Sequence, residues 1–456
     1  MQKDRISVIG LGKVGVTLAV NLANSGSDVI GFDLNEDLIS DIEFANFKTC
    51  EPQVENLLAL SLNKNLFVTN NIEKAILSSD ISFVIVPTPS NLKGGFSNIY
   101  VLNAVKMMAR ILPKKNSKHT ISIVSTMLPG SSDSQIIPAI EKESGLKVND
   151  DFGYCYNPAF IALGEIVKGF SEPDFVLIGE SDKKSGDAIL NAIKGMLTSN
   201  PPISRMSLIE AELTKIASNT HETMRVSFAN MLMNICTEVP NTNVDNITNA
   251  LSHRMGSRFF KGATPYGGPC WPRDNVALSQ FMKLFNSSAI LPEAIHFSNQ
   301  KISSYIIKKI QETCESNLDI SVIGLAYKNG TPITEESFAL KLCESMVKRG
   351  YKVHAWDPLI SSSNNEFIEK EIKIHDSIKD CIEKTKVVIL ANPLKEINLL
   401  NWAEIKDPFV IDCWRYLSES NKKHISKYFG LGLNPDENVK KWILENLGNS
   451  YDELTE

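Results

Sequence analysis

The residues best suited to chemistry lie in one short stretch, Gly262-Ala-Thr-Pro-Tyr-Gly-Gly-Pro-Cys270-Trp-Pro-Arg-Asp274. Cys270 follows a Gly-Gly pair and precedes an aspartate by four residues. Glycine lets a backbone approach a ligand closely or turn at positive φ. A thiol placed there can meet a bound substrate rather than a packed core. Sulfur is a nucleophile only as thiolate, so it needs neighbours that favour the anion. Free cysteines are more often buried and inert; the flanking glycines and Asp274 weigh against that fate here.

Suitable company exists elsewhere in the chain. Residues 205–239 contain neither proline nor glycine and read as one long helix, or two in line. Glu212, Lys215 and Asn219 are spaced i, i+3, i+7 within it and share one face. A lysine aimed at Cys270 would favour the thiolate and could donate to an oxyanion. The same spacing also suits a solvated charged face.

A hydride acceptor is implied near the N-terminus. Gly10-Leu-Gly12-Lys-Val-Gly15 follows an apolar strand and opens a helix, and Asp33 ends the next strand. Gly10 permits the tight turn, Gly12 the approach of a pyrophosphate, and Gly15 close helix–strand packing. Asp33 stands where a ribose-binding acid is expected. Leu34 and Asn35 follow it, with no Arg or Lys for a 2′-phosphate, which favours NAD over NADP. An NAD site plus a nucleophilic cysteine suggests aldehyde oxidation. Thiolate adds to the carbonyl, hydride passes to NAD, and the thioester is hydrolysed.

These groups need a large scaffold. The chain has 456 residues, 43% apolar and 22% charged, enough for about three domains. A net charge of -6 argues against nucleic-acid binding. The 8 cysteines form no C-x-x-C pair, so no metal is expected. No apolar run reaches the ~18 residues of a membrane span. The chain enters a strand almost at once, leaving no room for a signal peptide, so a cytoplasmic location is expected.

Strand-like segments at 6–9, 28–33, 81–86, 120–124 and 175–178 alternate with helical ones. A helical middle follows, with a second helical stretch over 276–313. Alternation then resumes at 319–324, 351–357, 386–390 and 408–412. A faint repeat links the two ends: Val8-Ile-Gly-Leu11 recurs as Val322-Ile-Gly-Leu325, and Phe32-Asp33 as Trp356-Asp357. The expected fold class is α/β, with two Rossmann-like doubly wound parallel-sheet domains joined by a central all-helical domain. Boundaries are expected at 1–200, 201–305 and 306–456. The tail after Asn449 is polar and expected to be loose.

Taken together, these residues resemble the UDP-glucose/GDP-mannose dehydrogenase family. The resemblance runs along nearly the whole chain. It includes the glycine fingerprint, Val86-Pro-Thr-Pro89, Ser125-Thr126 with Pro129-Gly130, Asn157-Pro158, Glu212-x-x-Lys215-x-x-x-Asn219 and Ser227-Phe-Ala-Asn230. It continues through the cysteine stretch, Gly324-Leu-Ala-Tyr-Lys328 with Thr331 and Ser337, and Asp412-x-x-Arg415.

The resemblance implies oxidation of the C6 hydroxymethyl of a nucleotide sugar to a carboxylate, with two NAD reduced. UDP-glucose is the expected substrate. Cys270 would be the nucleophile, Lys215 and Asn219 the oxyanion partners, and Asp274 and Thr126 the groups that position water. Gly10, Gly12, Val14, Gly15, Asp33, Pro87, Thr88, Thr126 and Lys328 would hold NAD. Phe160, Lys215, Asn219, Arg254, Phe259, Lys261, Tyr266, Gly267, Lys328 and Arg415 would meet the sugar nucleotide. The resemblance further implies a homodimer, or a higher homo-oligomer, formed through the central domain, with Arg254 reaching a neighbouring subunit's site.

Departures are informative. Where the family reads N-P-E-F-L-x-E-G, this chain has Asn157-Pro-Ala159-Phe-Ile-Ala-Leu163-Gly164. The first missing glutamate is the family's candidate base for thioester hydrolysis, and Ala159 takes no proton. Three readings stay open: an engineered substitution, a base from Glu165 or Asp274, or slow hydrolysis with accumulating acyl-enzyme. Arg273, Glu335 and Val124 replace a lysine, an arginine and a lysine of the family pattern. Competing readings are the same chemistry on UDP-N-acetylhexosamine or GDP-mannose, a two-electron 3-hydroxyacid dehydrogenase, and a nucleotide-sugar binder without turnover.

Overall fold

The computed structural model describes residues 4–314, 319–361, 365–406 and 408–446. The tail expected to be loose lies outside them. The chain forms two compact units: Met1–Ser218 with Ala277–Ala289, and Asn219–Val276 with Ile290–Glu456.

In the first unit, β1 (Arg5–Ile9), β2 (Asp28–Phe32), β3 (Leu66–Thr69), β4 (Ile81–Val84), β5 (His119–Ile123), β6 (Phe152–Tyr156), β7 (Val176–Glu180) and β8 (Ile203–Met206) make one sheet. Its order is β3-β2-β1-β4-β5-β6-β7-β8. Side chains alternate across a strand, so β1 feeds two cores. Ile6 and Val8 pack with Leu18 and Leu22 of the Lys13–Asn24 helix. Ile9 packs on the other side with Val105 and Met108 of the Ile99–Ala109 helix. Both faces are thus covered, as a doubly wound sheet requires.

Two details of the first sheet go beyond the expected α/β fold. The sheet is not wholly parallel, because β7 runs antiparallel to β6. The first sheet also extends past residue 200, since β8 pairs with β7. Ile203-Ser-Arg-Met206 carries little apolar signal, whereas β3 and β6 are apolar and aromatic strands that lie outside the expected set. The sheet supplies their pairing partners and the sequence does not.

The Leu208–Glu238 helix is a single 31-residue element, which decides between one helix and two. The stretch expected to be helical from 276 to 313 is two helices, Trp271–Lys283 and Ile290–Thr313. Asn286 lies between them at φ 56. Asparagine tolerates this left-handed conformation, so the break needs neither glycine nor proline.

The second unit contains β9 (Thr242–Asn243), β10 (Asp319–Ile323), β11 (Lys352–Trp356), β12 (Ile372–Ile374), β13 (Val387–Leu390), β14 (Phe409–Asp412), β15 (Lys427–Gly430) and β16 (Leu433–Asn434). Its main sheet is parallel, in the order β12-β11-β10-β13-β14-β15. This matches the order of the first six strands in the other unit. β9 and β16 form a separate antiparallel pair.

The faint repeat is a structural one. Gly10 N–H donates to Phe32 O at 2.8 Å, and Gly324 N–H to Trp356 O at 2.9 Å. Leu11 N–H donates to Asp33 at 2.7 Å, and Leu325 N–H to Asp357 at 2.8 Å. The copies then diverge. A helix starts at Lys13 directly after the first turn. After the second turn the next helix waits until Phe338.

Candidate active site

The first unit holds a dinucleotide cradle at the C-terminal ends of its central strands. Gly10 has φ 98, and a Cβ there would lie 2.1 Å from Ile85 O. A Cβ on Gly15 would lie 1.8 Å from Gly10 O, so helix and turn touch through their backbones. Gly12 faces open space, with nothing within 4 Å of its would-be Cβ. It precedes the helix and offers no side chain to the first-turn N–H groups around Val14. Those N–H groups suit a pyrophosphate.

Asp33 accepts from Leu11 N–H and, at 2.9 Å, from Asn35 N–H, which fixes its carboxylate beside the turn. The exposed Asn35 caps the next helix by accepting from Leu38 N–H at 3.1 Å. These residues fit an adenine dinucleotide with a free ribose 2′-hydroxyl.

The ends of β4 and β5 are tied together beside this cradle. Ser125 Oγ donates to Val86 O at 2.7 Å and accepts from Val86 N–H at 2.9 Å. Thr88 Oγ1 donates to Thr126 O at 2.7 Å. Pro87 is exposed, Thr88 buried and Thr126 half-buried. The segment that follows is anchored by Glu212, which is fully buried. Its carboxylate accepts from Gly130 N–H (2.5 Å), Ser132 N–H (2.9 Å) and Ser132 Oγ (2.6 Å). Burial outweighs these bonds and pushes the carboxyl above its usual range. Glu212 is therefore a scaffold for the Thr126 segment, a role that helical spacing alone does not reveal.

Lys215, one turn further on, is also buried. Its Nζ donates to Ala159 O at 2.9 Å and sits 4.4 Å from the centroid of the Phe160 ring. Phe160 packs against Phe175 with centroids 4.6 Å apart. Ala159 and Leu163, which stand where the family pattern has two glutamates, both pack against the core of this unit. Ala159 also borders a mostly apolar cavity of about 40 Å³. The loop they belong to is held by Glu51, a residue sequence reasoning missed. Its carboxylate accepts from Gly164 N–H at 2.7 and 2.9 Å.

The second unit holds the cysteine. Cys270 is exposed, whereas Cys155, Cys236, Cys314, Cys343, Cys381 and Cys413 are buried. Burial raises the thiol pKa of each of these six, to about 11 for Cys314 and about 12 for Cys381. Cys270 immediately precedes the Trp271–Lys283 helix, and its carbonyl accepts from Asp274 N–H at 2.9 Å. A helix N-terminus favours negative charge at that point. Asp274 is 1% exposed; it accepts from Asn219 Nδ2 at 2.5 Å and lies 3.4 Å from Arg273 Nε. Asn219 and Asp274 thus meet, a pairing that their spacing did not announce.

The loop before Cys270 is held by amides. Asn299 pins Tyr266 on both sides, accepting from its N–H at 3.0 Å and donating to its carbonyl at 2.9 Å. Asn230 accepts from Ala263 N–H at 2.8 Å and donates to Thr264 O at 3.3 Å. Asn275 donates to Tyr266 Oη at 3.1 Å and to Thr223 Oγ1 at 2.9 Å. Burial of that phenol raises its pKa. Gly267 and Gly268 lie against the 325–337 loop: a Cβ on Gly267 would lie 2.2 Å from Glu336 O, and Gly268 N–H donates to Glu335 O at 3.1 Å. Asn230 stood in a quoted motif; Asn275 and Asn299 gave no signal, because anchoring amides follow no spacing rule.

The remaining expected residues are placed as follows. Phe259 has φ 55 and meets Trp271 edge-on, with centroids 5.0 Å apart. Arg254 and Lys261 are exposed. Lys328 lies 5.9 Å from the Tyr327 ring centroid. Arg415 is engaged internally: its guanidinium holds Asp245 through two 2.9 Å bonds and also donates to Gly262 O and Leu431 O.

Comparison with known proteins places this arrangement. The UDP-glucose/GDP-mannose dehydrogenase family matches through its NAD binding domain over residues 4–195, its central domain over 209–301 and its UDP binding domain over 321–419. The chain is 29% identical over 408 residues to a GDP-mannose 6-dehydrogenase of Azotobacter vinelandii, covering 85% of this chain and 91% of that one. It is 27% identical over 440 residues to a UDP-glucose 6-dehydrogenase of Rickettsia bellii, covering 94% and 99%. A solved UDP-glucose dehydrogenase from Pyrobaculum islandicum shares the fold, with TM-score 0.86, 24% identity and coverage of 95% and 98%. With its NAD cradle, its cysteine loop and all three domain matches in order, the chain belongs to the UDP-glucose/GDP-mannose dehydrogenase family of NAD-dependent nucleotide-sugar 6-dehydrogenases.

Proposed function

We propose that this chain oxidises the C6 hydroxymethyl of UDP-glucose to the carboxylate in two steps through a covalent intermediate on Cys270. The observation that carries this reading is the exposed thiol at a helix start, while six other thiols are buried and held protonated. UDP is favoured by the match of residues 321–419 to a UDP-binding domain.

In this reading, Gly10, Gly12, Gly15 and Asp33 would hold NAD, which would supply the hydride acceptor, one NAD for each of the two oxidations. Once the alcohol has become an aldehyde, the Cys270 sulfur adds to its carbonyl carbon and forms a thiohemiacetal. Lys215 and Asn219 donate to the oxygen that carries the developing charge. Loss of the second hydride leaves a thioester. Water then adds to the thioester carbon, positioned by Asp274 and Thr126, and the acid leaves as the sulfur regains its charge. Arg254, Phe259, Lys261, Tyr266, Gly267 and Lys328 line the sugar-nucleotide pocket. The protein acts in the cytoplasm as a homodimer.

An alternative reading is a hydrolysis-impaired enzyme, in which Ala159 in place of a glutamate slows release of the thioester. Both departures in that loop are accommodated by packing, with Ala159 and Leu163 against the core. A second substrate reading, GDP-mannose, is favoured by the similarity to GDP-mannose 6-dehydrogenases. NADH formation with a panel of UDP- and GDP-sugars tests all of this. Two NADH per UDP-glucose supports the proposal, two per GDP-mannose transfers it to that substrate, one marks a simple hydroxyacid-type dehydrogenase, and none marks a binder.

A further inference from the structure

Asp245 has no part in the chemistry described above, yet several segments of the second unit converge on it. It lies in the first turn of the Val244–Met255 helix, which Asn243 caps by accepting from Asp245 N–H at 2.8 Å. Its two carboxylate oxygens accept from Arg415 Nε and Nη2, both at 2.9 Å. Bidentate pairing of this kind fixes the direction of a guanidinium as well as its position. The Arg415 side chain is only 3% exposed. Nη2 also donates to Gly262 O at 2.6 Å, and Nη1 donates to Leu431 O. Gly262 opens the loop that ends at Cys270.

The surroundings hold this arginine in a costly conformation. Arg415 has φ 51, a left-handed backbone that non-glycine residues adopt only when their surroundings impose it. Asp412, fully buried at the end of β14, shapes that turn by accepting from Trp414 N–H at 3.1 Å and Leu417 N–H at 2.9 Å. A Cβ on Gly430 would lie 3.1 Å from Arg415 Cγ. Next to it, Val244 N–H donates to Gly432 O at 2.9 Å, and Gly432 N–H donates to Thr237 Oγ1 at 2.8 Å. The node therefore ties the end of the Leu208–Glu238 helix, the start of the next helix, the β15–β16 turn and the cysteine loop.

We infer that Asp245 is a positioning residue: by holding Arg415 on the Gly262 carbonyl, it sets the loop that carries Cys270. Asn230 and Asn299 pin residues 263–266 of the loop; the Asp245–Arg415 pair pins its first residue. The kinetic consequence rests on the proposed dehydrogenase reading, whereas the reactivity of the Cys270 thiol does not.

The test compares Asp245→Asn and Asp245→Glu with the parent enzyme. Cys270 alkylation by iodoacetamide is followed by peptide mass mapping, which separates it from the exposed Cys50. Well below the unfolding temperature, Asp245→Asn should change the Cys270 alkylation rate about tenfold, the scale expected when a reacting group is misplaced by a fraction of an ångström. Cys50 should be unaffected. With the active sugar nucleotide, kcat should fall by a similar factor while UDP affinity stays within about threefold. Asp245→Glu should recover most of both. An Asp245→Asn protein that only loses thermal stability, with unchanged Cys270 alkylation, overturns the inference. So does equal behaviour of the Asn and Glu variants. If no nucleotide sugar is oxidised by the parent enzyme, the dehydrogenase reading fails, and the alkylation result still decides the role of Asp245.

Discussion

Cys270 differs from most of its fellow thiols through position. Burial holds six others as thiols, whereas Cys270 is exposed at a helix start. Cys270→Ser should therefore leave the first oxidation and remove the second. NADH yield should drop from two to one per sugar, with the acid absent from the products; full acid formation would show that the sulfur is not the nucleophile. Ala159 poses the complementary question at the same scale. Its carbonyl is used by Lys215, and its methyl group meets a packed core. If release of the thioester limits turnover, rapid mixing should show an NADH burst followed by a slow steady state. Ala159→Glu should raise that steady rate, by about tenfold on the general acid–base scale. A parent enzyme without a burst would exclude slow release.

Among elements, the glycine turn of the first unit separates folding from binding. A methyl group on Gly15 would lie 1.8 Å from Gly10 O, whereas one on Gly12 meets nothing. Gly15→Ala should cost roughly 1–3 kcal/mol of stability as an overpacked contact. Gly12→Ala should leave Tm unchanged and raise the NAD KM by roughly tenfold, about 1.4 kcal/mol, because only the pyrophosphate needs that space. Thermal melts and NAD titrations of the two variants check this contrast. The Asp245–Arg415 pair makes a pH prediction. Burial pushes the Asp245 carboxyl up, but bonds from Arg415, its charge, and the charges of Lys261 and Lys422 outweigh burial and hold it below the usual range. The folded state thus binds the Asp245 proton more weakly than the unfolded chain. Its stabilisation is present above the ordinary carboxylate pKa, about 3.9, and is lost as pH falls through the depressed value. Asp245→Asn should flatten that part of the acid limb in urea melts at graded pH.

On the scale of the whole molecule, self-association is the open expectation. Phe228, Met231 and Ile235 are exposed at 40%, 42% and 49%, and their i, i+3, i+7 spacing puts them on one face of the Leu208–Glu238 helix. Exposed apolar patches of this kind mark contact surfaces. Light scattering should report a dimer, and Met231→Glu should shift it toward monomer; a monomeric parent enzyme would refute the proposed homodimer. No described helix is long and apolar enough to cross a membrane.

Much of this was legible in the residues themselves. Gly10, Gly12, Gly15 and Asp33 announce their own geometry, because a tight turn, a close approach and a capped strand end each admit few residue types. The repeat between Val8–Leu11 and Val322–Leu325 pointed to two α/β domains; that the sheets share a strand order appeared only in the structure. What the sequence could not carry was anything created by a partner distant along the chain. The reversal of β7 depends on pairing with β6, and the breadth of the first sheet on weak strands that only neighbours stabilise. Glu51 and Asp245 read as ordinary surface acids, and Glu212 as a member of a charged helix face, until the fold brings backbone N–H groups or a buried arginine to them. The sequence by itself determined the chemistry available, a thiol, an NAD turn and a lysine, since those are properties of residue type and local spacing. Only the tertiary structure decided which thiols are buried and which carboxylates serve as anchors, since burial and long-range hydrogen bonding exist only once the chain has packed.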